Sequence, residues 1–279
     1  MKPTRPGLVL ALVLMLPGIA CGQEPERTYP QPGTFEIDWQ RQVVVTNSLG
    51  APNTELPRPA WRASALRAAR QAAYRDLLEA VKGVTVNAST TVQNMMVSSD
   101  VIRSKVEGIV RDFVVLDTKY YESMDVGVIV EMPLTGALTE TVLLEPGHIA
   151  SHPGQGPSAP ASGSRVITGV VVDARGLDAV PAMAPKILDE AGGEVYGTSE
   201  VSREYAIQWG MAGYHNDVGE AGRDERVAGN PLVVRAVRST GPNGCDLVIS
   251  EQDAGRIRSA AEQQGFLDEC RVMIVLGSL

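Results

Sequence analysis

Apolar residues along this chain repeat with helical spacing in some stretches and run in short β-type blocks in others. Gln42-Val43-Val44-Val45-Thr46 predicts a strand, and Asn47 to Pro59 reads as a turn-rich loop. Leu66, Ala69, Ala73, Leu77 and Ala80 then recur at intervals of three and four. That spacing puts them on one face of a helix over about Ala60 to Lys82. Gly83 is expected to close this helix in a left-handed cap. Val84-Thr85-Val86 predicts a strand that Ala88 to Val92 extends, and Ser98 or Ser99 can cap a short helix through Val101, Ile102 and Val106. Ile109 to Tyr121 and Val126 to Met132 predict a strand pair turning near Ser123-Met124-Asp125. The order is β-α-β-(α)-β-β, which buries its apolar surface by packing the helix on one face of a small sheet.

The second half repeats the mixture. Val166 to Val172 reads as a buried strand. Lys186 to Asp189 and Glu194 to Gly197 flank Ala191-Gly192-Gly193, a hairpin signal. Ser199 to Trp209 is expected to be helical, and Leu232 to Val237 and Asp246 to Ile249 to be strands. Ser250-Glu251-Gln252-Asp253 resembles a capping box and opens a helix carrying Ile257, Ala260 and Ala261. Arg271 to Leu276 predicts a closing strand. The fold class is therefore α+β, as two small α+β domains over residues 35–145 and 165–279. A Pro/Gly/Ser linker over 146–164 joins them, and a polar, proline-rich tether over 23–34 precedes the first.

The first twenty-two residues follow another pattern. Lys2 and Arg5 precede an unbroken apolar run from Leu8 to Leu16, and small residues lead to Cys21. This is the layout of an export signal, and the run is too short to span a bilayer. Cys21 is a candidate lipidation site, although Gly18 stands where a lipoprotein signal favours a large aliphatic. A cut after Gly22 is the alternative. The expected location is the periplasm or outer membrane, with a membrane contact through the lipid if Cys21 carries one.

The formal charge of −8 becomes about −10 once Lys2 and Arg5 leave with the signal. An acidic chain without basic clusters argues against nucleic-acid partners. Cys245 and Cys270 each precede a predicted strand, and in an oxidising compartment they are expected to form a structural disulfide. His148 and His152 lie at the linker and His215 stands apart, with no metal spacing around them, so no metal or other cofactor is expected. No nucleophile motif is present, and the chain is expected not to be an enzyme. Asp173-Ala174-Arg175-Gly176 follows a strand end and makes Asp173 and Arg175 the candidate polar loop. Tyr196, Tyr205, Trp209 and Tyr214 are candidates either for a ligand groove or for core packing.

The run Arg67-Ala68-Ala69-Arg70-Gln71-Ala72-Ala73-Tyr74-Arg75-Asp76-Leu77-Leu78-Glu79-Ala80-Val81-Lys82-Gly83-Val84 resembles the helix-to-strand core of the LPP-type envelope lipoproteins. That family includes the flagellar assembly proteins P and T. The resemblance extends over about residues 35 to 135. The segments Thr168 to Gly176, Pro185 to Gly197, Asn230 to Val237 and Asp246 to Arg256 look like a domain that accompanies this module in related envelope proteins. The resemblance implies a structural role in rings or disks around the flagellar basal body. Self-association or basal-body partners follow from it, and no catalytic residues do. The alternative expectation is a periplasmic module binding glycan or peptidoglycan fragments, resting on the aromatic set and the Asp173 loop.

Overall fold

The computed structural model describes residues 28–143 and 166–279. Cys21 and the signal, His148, His152 and the whole of the linker lie outside these residues.

The first lobe opens with a hairpin of β1 (Thr34–Asp38) and β2 (Val43–Gly50), one strand more than the sequence pattern shows. Helix α1 (Trp61–Gly83) follows. Its buried positions Ala69, Ala73, Leu77 and Ala80 are those of the predicted ridge, but Ala65 is buried in the turn where the sequence pattern expects Leu66, and Leu66 is only partly buried; most of the ridge is alanine. Small side chains let the helix axis come close to β2, where Gly50 lies directly under Ala65, Ala68 and Ala69. Gly83 is the last helical residue and has no positive φ; the cap is Val84, in extended backbone. The left-handed cap expected there is not used, because the chain runs straight into β3 (Thr85–Asn87).

β3 forms a short ribbon with β4 (Thr90–Thr91), but the predicted extension to Val92 stops there. Thr91 accepts a hydrogen bond from Asn94 N and so starts helix α2 (Val92–Ser98). Ser99 caps α3 (Asp100–Arg111), which carries Ile102, Val106 and Val110 into the core. Ile109 therefore ends a helix, not a strand. β5 (Val114–Tyr120) and β6 (Val126–Pro133) complete an antiparallel sheet of order β1-β2-β6-β5, and α4 (Ala137–Leu143) leads out of it. The inward residues Val44, Val126, Val128, Val130 and Met132 meet α1 and the other helices.

The second lobe contains β7 (Val170–Asp173), β8 (Ile187–Leu188), β9 (Glu194–Tyr196), α5 (Arg203–Trp209), β10 (Gly213–His215) and α6 (Val218–Ala221). It continues with β11 (Leu232–Thr240), β12 (Asp246–Ile249), α7 (Glu251–Gln264) and β13 (Val272–Val275). The seven strands form one mixed sheet of order β10-β13-β7-β11-β12-β8-β9. β10, β13, β7 and β11 are mutually parallel, whereas β12 reverses against β11. The β8–β9 hairpin and the Ser250 cap of α7 match the sequence pattern. Val170, Val172, Val272 and Ile274 face the main core; Val171, Met273 and Val275 face a smaller one under α6.

The largest apolar core runs through both lobes. Backbone bonds cross the junction from Met183 N to Thr85 O (3.0 Å), Ala184 N to Val86 O (2.7 Å) and Gly136 N to Ile207 O (2.8 Å). Trp39 packs edge-on against Tyr214 with ring centroids 5.4 Å apart. Among the described residues this α+β chain has no helix long and apolar enough to cross a membrane.

The sheet order overturns the expected disulfide. Cys245 and Cys270 are both buried free thiols. Cys270 sits at the end of the sheet where Val272 meets Val170 and Leu232, whereas Cys245 precedes Asp246, which pairs with Thr240 at the far end of β11. β7 and β11 also lie between β13 and β12, a lateral gap of about 14 Å at ~4.8 Å per strand. A bridge needs Cα atoms within about 7 Å. The two strands are neither neighbours nor parallel, a fact that spacing along the chain does not carry. Burial pushes the Cys245 thiol up to about 12 and the Cys270 thiol up to about 11, so both are protonated and unreactive at neutral pH.

Candidate functional site

The Asp173 loop lies at the carboxyl end of β7. Arg175 donates from Nε to Asp173 Oδ1 (2.8 Å) and from Nη2 to Oδ2 (2.9 Å), and its backbone N–H also reaches Oδ1 (3.1 Å). Arg235, opposite Asp173 in the β11 register, adds positive potential. The bond from Arg175 holds the Asp173 carboxyl below its ordinary range. Both faces of this pair are thus used within the turn, with Gly176 at φ +83° closing it. The loop is a charged turn, not a set of groups free to meet a ligand.

The other sequence candidates are also engaged. Tyr196 is buried and donates to Met211 O. The buried Tyr214 hydroxyl donates to Ala182 O (2.7 Å) and accepts from Ala182 N (2.9 Å). Tyr205 packs against the main core. His215 Nδ1 accepts from Asp217 N (3.0 Å). Among the described residues no cluster of His, Cys, Asp or Glu could hold a metal ion. Of the four aromatics, Tyr214 lines a small, mostly apolar pocket and Trp209 lines a larger, polar one.

That cavity is a polar cleft of about 270 Å³ between the lobes. The β1–β2 turn supplies Gln40, Arg41 and Gln42, and Thr135 comes from the turn after β6. The end of α5 supplies Gln208 and Trp209, and the segment before β11 supplies Asp224, Glu225 and Arg226. Gln42 has a φ of +53°, which a four-residue turn imposes on its last position and which usually selects glycine or asparagine. Here its side chain crosses to the second lobe and donates to Ala212 O (2.7 Å). Arg41 is tied at the rim to Glu131 (2.5 Å).

Arg226 forms the cleft's inner wall. Nη1 donates to Gly210 O and Cys270 O, each at 3.0 Å, and Nη2 donates to Trp209 O. Its guanidinium also lies over the Trp209 ring, 5.9 Å from the centroid. Two of these acceptors are the final carbonyls of α5 and its cap, which the helix leaves without partners. Burial pulls the Arg226 pKa down. None of Gln40, Arg41, Gln42 and Arg226 is legible as a site in the sequence. Asp38 to Gln42 carries no glycine to mark its turn, and Arg223-Asp224-Glu225-Arg226 looks like an ordinary solvated charge run.

The charged network makes a pH prediction. Bonds from Arg175 to Asp173, from Arg258 and Gly193 N to Asp189, and from Glu220 N to Asp217 hold these carboxyls low. Burial raises Glu194, but bonds from Lys186 and Ser199 outweigh it and leave it lowered. Unfolded values are about 3.9 for Asp and 4.3 for Glu, so the stability from these four is complete above about pH 5. It is lost as pH falls through the folded values. Asp246 acts in the opposite sense, because burial raises it and protonation relieves that cost. With four groups against one, the urea midpoint is expected to fall steadily below about pH 5. A midpoint constant down to about pH 3 would contradict this assignment of the ion pairs.

No curated protein matches the chain. Residues 169–278, which run from just before β7 to just beyond β13, match the family model described as Treponema pallidum Tp0624, second domain, and the second lobe is similar to that domain.

Proposed function

We propose that this chain is a non-catalytic protein of the cell envelope. Its role is structural or assembly-related, in the flagellar basal body or an associated periplasmic or outer-membrane ring. The observation that carries this reading is the first lobe's sheet, whose edge strands β1 and β5 each pair on one side only among the described residues. Phe35 on β1 and Val114 and Tyr120 on β5 are exposed. The two edges differ, so joining β5 of one copy to β1 of the next is a head-to-tail contact, the kind that generates rings. Asp117 and Lys119 on β5 would oppose indiscriminate pairing. The continuous core through both lobes supports the same reading, because a ring subunit has to hold its shape. The resemblance of Arg67 to Val84 to the flagellar assembly family supplies the basal-body context, and the export layout supplies the compartment.

The test is copurification with detergent-extracted basal bodies from the source organism, together with the mass of the purified protein in solution. Enrichment with basal bodies and a concentration-dependent oligomer are expected. A monodisperse monomer at high concentration, in an organism whose motility survives deletion of the gene, would overturn the reading.

A further inference from the structure

We propose that the cleft between the lobes is a binding site for a small carboxylate, gripped by Arg226. This stands apart from the assembly reading and rests on the cleft alone.

Arg226 carries five donors. Three go to the carbonyls of Trp209, Gly210 and Cys270. Nε–H and one Nη2–H have no acceptor among the described residues, yet no Arg226 atom is both buried and unsatisfied. Nε is therefore reachable from the cleft that the side chain lines, and Nη2 beside it keeps a second N–H beyond its bond to Trp209 O. A guanidinium with two donors to spare is suited to a planar carboxylate, which it can take through two parallel bonds.

The guanidinium also makes no ion pair within 4.0 Å among the described residues. Every other ion pair of the second lobe joins an arginine or lysine to a carboxylate within 4.0 Å, but Arg226 is in none of them. Asp224 is the nearest acid on its own segment, and it spends Oδ1 on Arg226 N (2.9 Å), not on the guanidinium. A partly desolvated cation held by carbonyls and an aromatic ring, with Asp224 acting on it without a direct bond, gains from an anion brought in from outside. Capping α5 explains two donors and the bond to Cys270 O a third, which leaves the open side of the guanidinium without a role.

The walls limit the size and character of the ligand. At about 270 Å³ the cleft is just below the usual range for small-molecule sites, so it suits a dicarboxylate or dipeptide and excludes a folded chain. Gln40 and Gln208 can orient polar groups. Asp224 and Glu225 at the same cleft can receive an ammonium beside the carboxylate. Because the walls come from both lobes, a bound ligand also fastens one lobe to the other.

The full-length protein, ¹⁵N-labelled, is titrated with succinate, glycylglycine and glycylglycine methyl ester up to tens of millimolar at constant ionic strength. The Trp209 indole N–H is followed, with Trp61, remote in α1, as internal control. Saturable movement of Trp209 with a carboxylate probe, and none with the ester, is expected. Binding of both acids means that the carboxylate suffices; binding of glycylglycine alone means an amino-acid-like ligand using Asp224 or Glu225. Arg226→Lys keeps the charge and loses the fork, and is expected to weaken binding about tenfold or more. Should that variant not fold, Gln208→Phe at the exposed rim is expected to block the mouth and abolish the shift without lowering the melting temperature. The proposal is overturned by no saturable shift with either acid, by equal shifts with the ester, or by binding that survives in the folded variants.

Discussion

Gly50→Ala is expected to cost about 3 kcal/mol or more, the upper end of the range for overpacked cores, and Gly50→Val to prevent folding. Gly50 is the last residue of β2, paired with Val126 and placed beneath α1. A Cβ there would lie well inside van der Waals distance of Ala65 O and Ala69 N, and 2.8 Å from the carbonyl carbon of Ala68. These are backbone atoms of a helix, so no rotamer change can yield the space. The helix would have to lift, and the buried ridge of Ala69, Ala73 and Leu77 would lift with it. Two controls isolate the cause. Gly83 and Gly108 are helical and have nothing within 4 Å of an added Cβ. Gly83→Ala and Gly108→Ala are each expected to stabilise, by up to about 1 kcal/mol. Urea denaturation of the three variants checks the ranking. A Gly50→Ala protein within about 0.5 kcal/mol of the parent would show that the helix–sheet distance is not fixed here.

Much of this fold is written locally. The α1 ridge, the β8–β9 hairpin and the Ser250 cap are visible because a few adjacent residues decide each one. The differences share one physical cause, that each turns on residues outside the local pattern. Gly83 looks like a left-handed cap until β3 is seen to follow without a turn. Val92 looks like strand until Thr91 is recognised as a cap. β1, β10 and α6 are too short to impose a period on the sequence. The cysteine pair fails for a stronger reason, since only the strand order and the reversal of β12 separate two residues that look alike along the chain. The cleft is the extreme case. Its residues come from the β1–β2 turn, the turn after β6, the stretch from α5 to β10, the segment before β11, and β13, and Gln42 acquires its role only when Ala212 arrives across the junction. Asp173 and Arg175, by contrast, were legible as a polar loop because they are two residues apart, and that same nearness lets them satisfy each other.

Trp39→Ala is expected to cost about 3–5 kcal/mol and to split unfolding into separate events for the two lobes. Trp39 stands on the β1–β2 turn at 9% exposure, wedged against Tyr214 of the second lobe. Tyr214 is itself fixed by two bonds to Ala182, so the ring cannot follow to fill the space. The loss therefore combines the buried area of an indole with an edge-to-face contact of about 0.5–1.5 kcal/mol. The remaining junction includes the shared apolar core, backbone bonds around β3 and at Gly136, the Gln42 and Asn243 amides, and the exposed Arg203–Glu140 pair, which contributes little. The variant also simplifies the measurement. Of the three tryptophans, Trp61 in α1 and Trp209 in α5 remain, one per lobe. Adding Trp61→Phe or Trp209→Phe leaves a single reporter, and the two urea curves are expected to diverge. Coincident curves with a midpoint near that of the parent would mean that each lobe is held without the indole wedge. The single-body premise of the ring reading would then rest on the shared apolar core and the other junction contacts, while the Arg226 site, tested by ligand alone, would be unaffected.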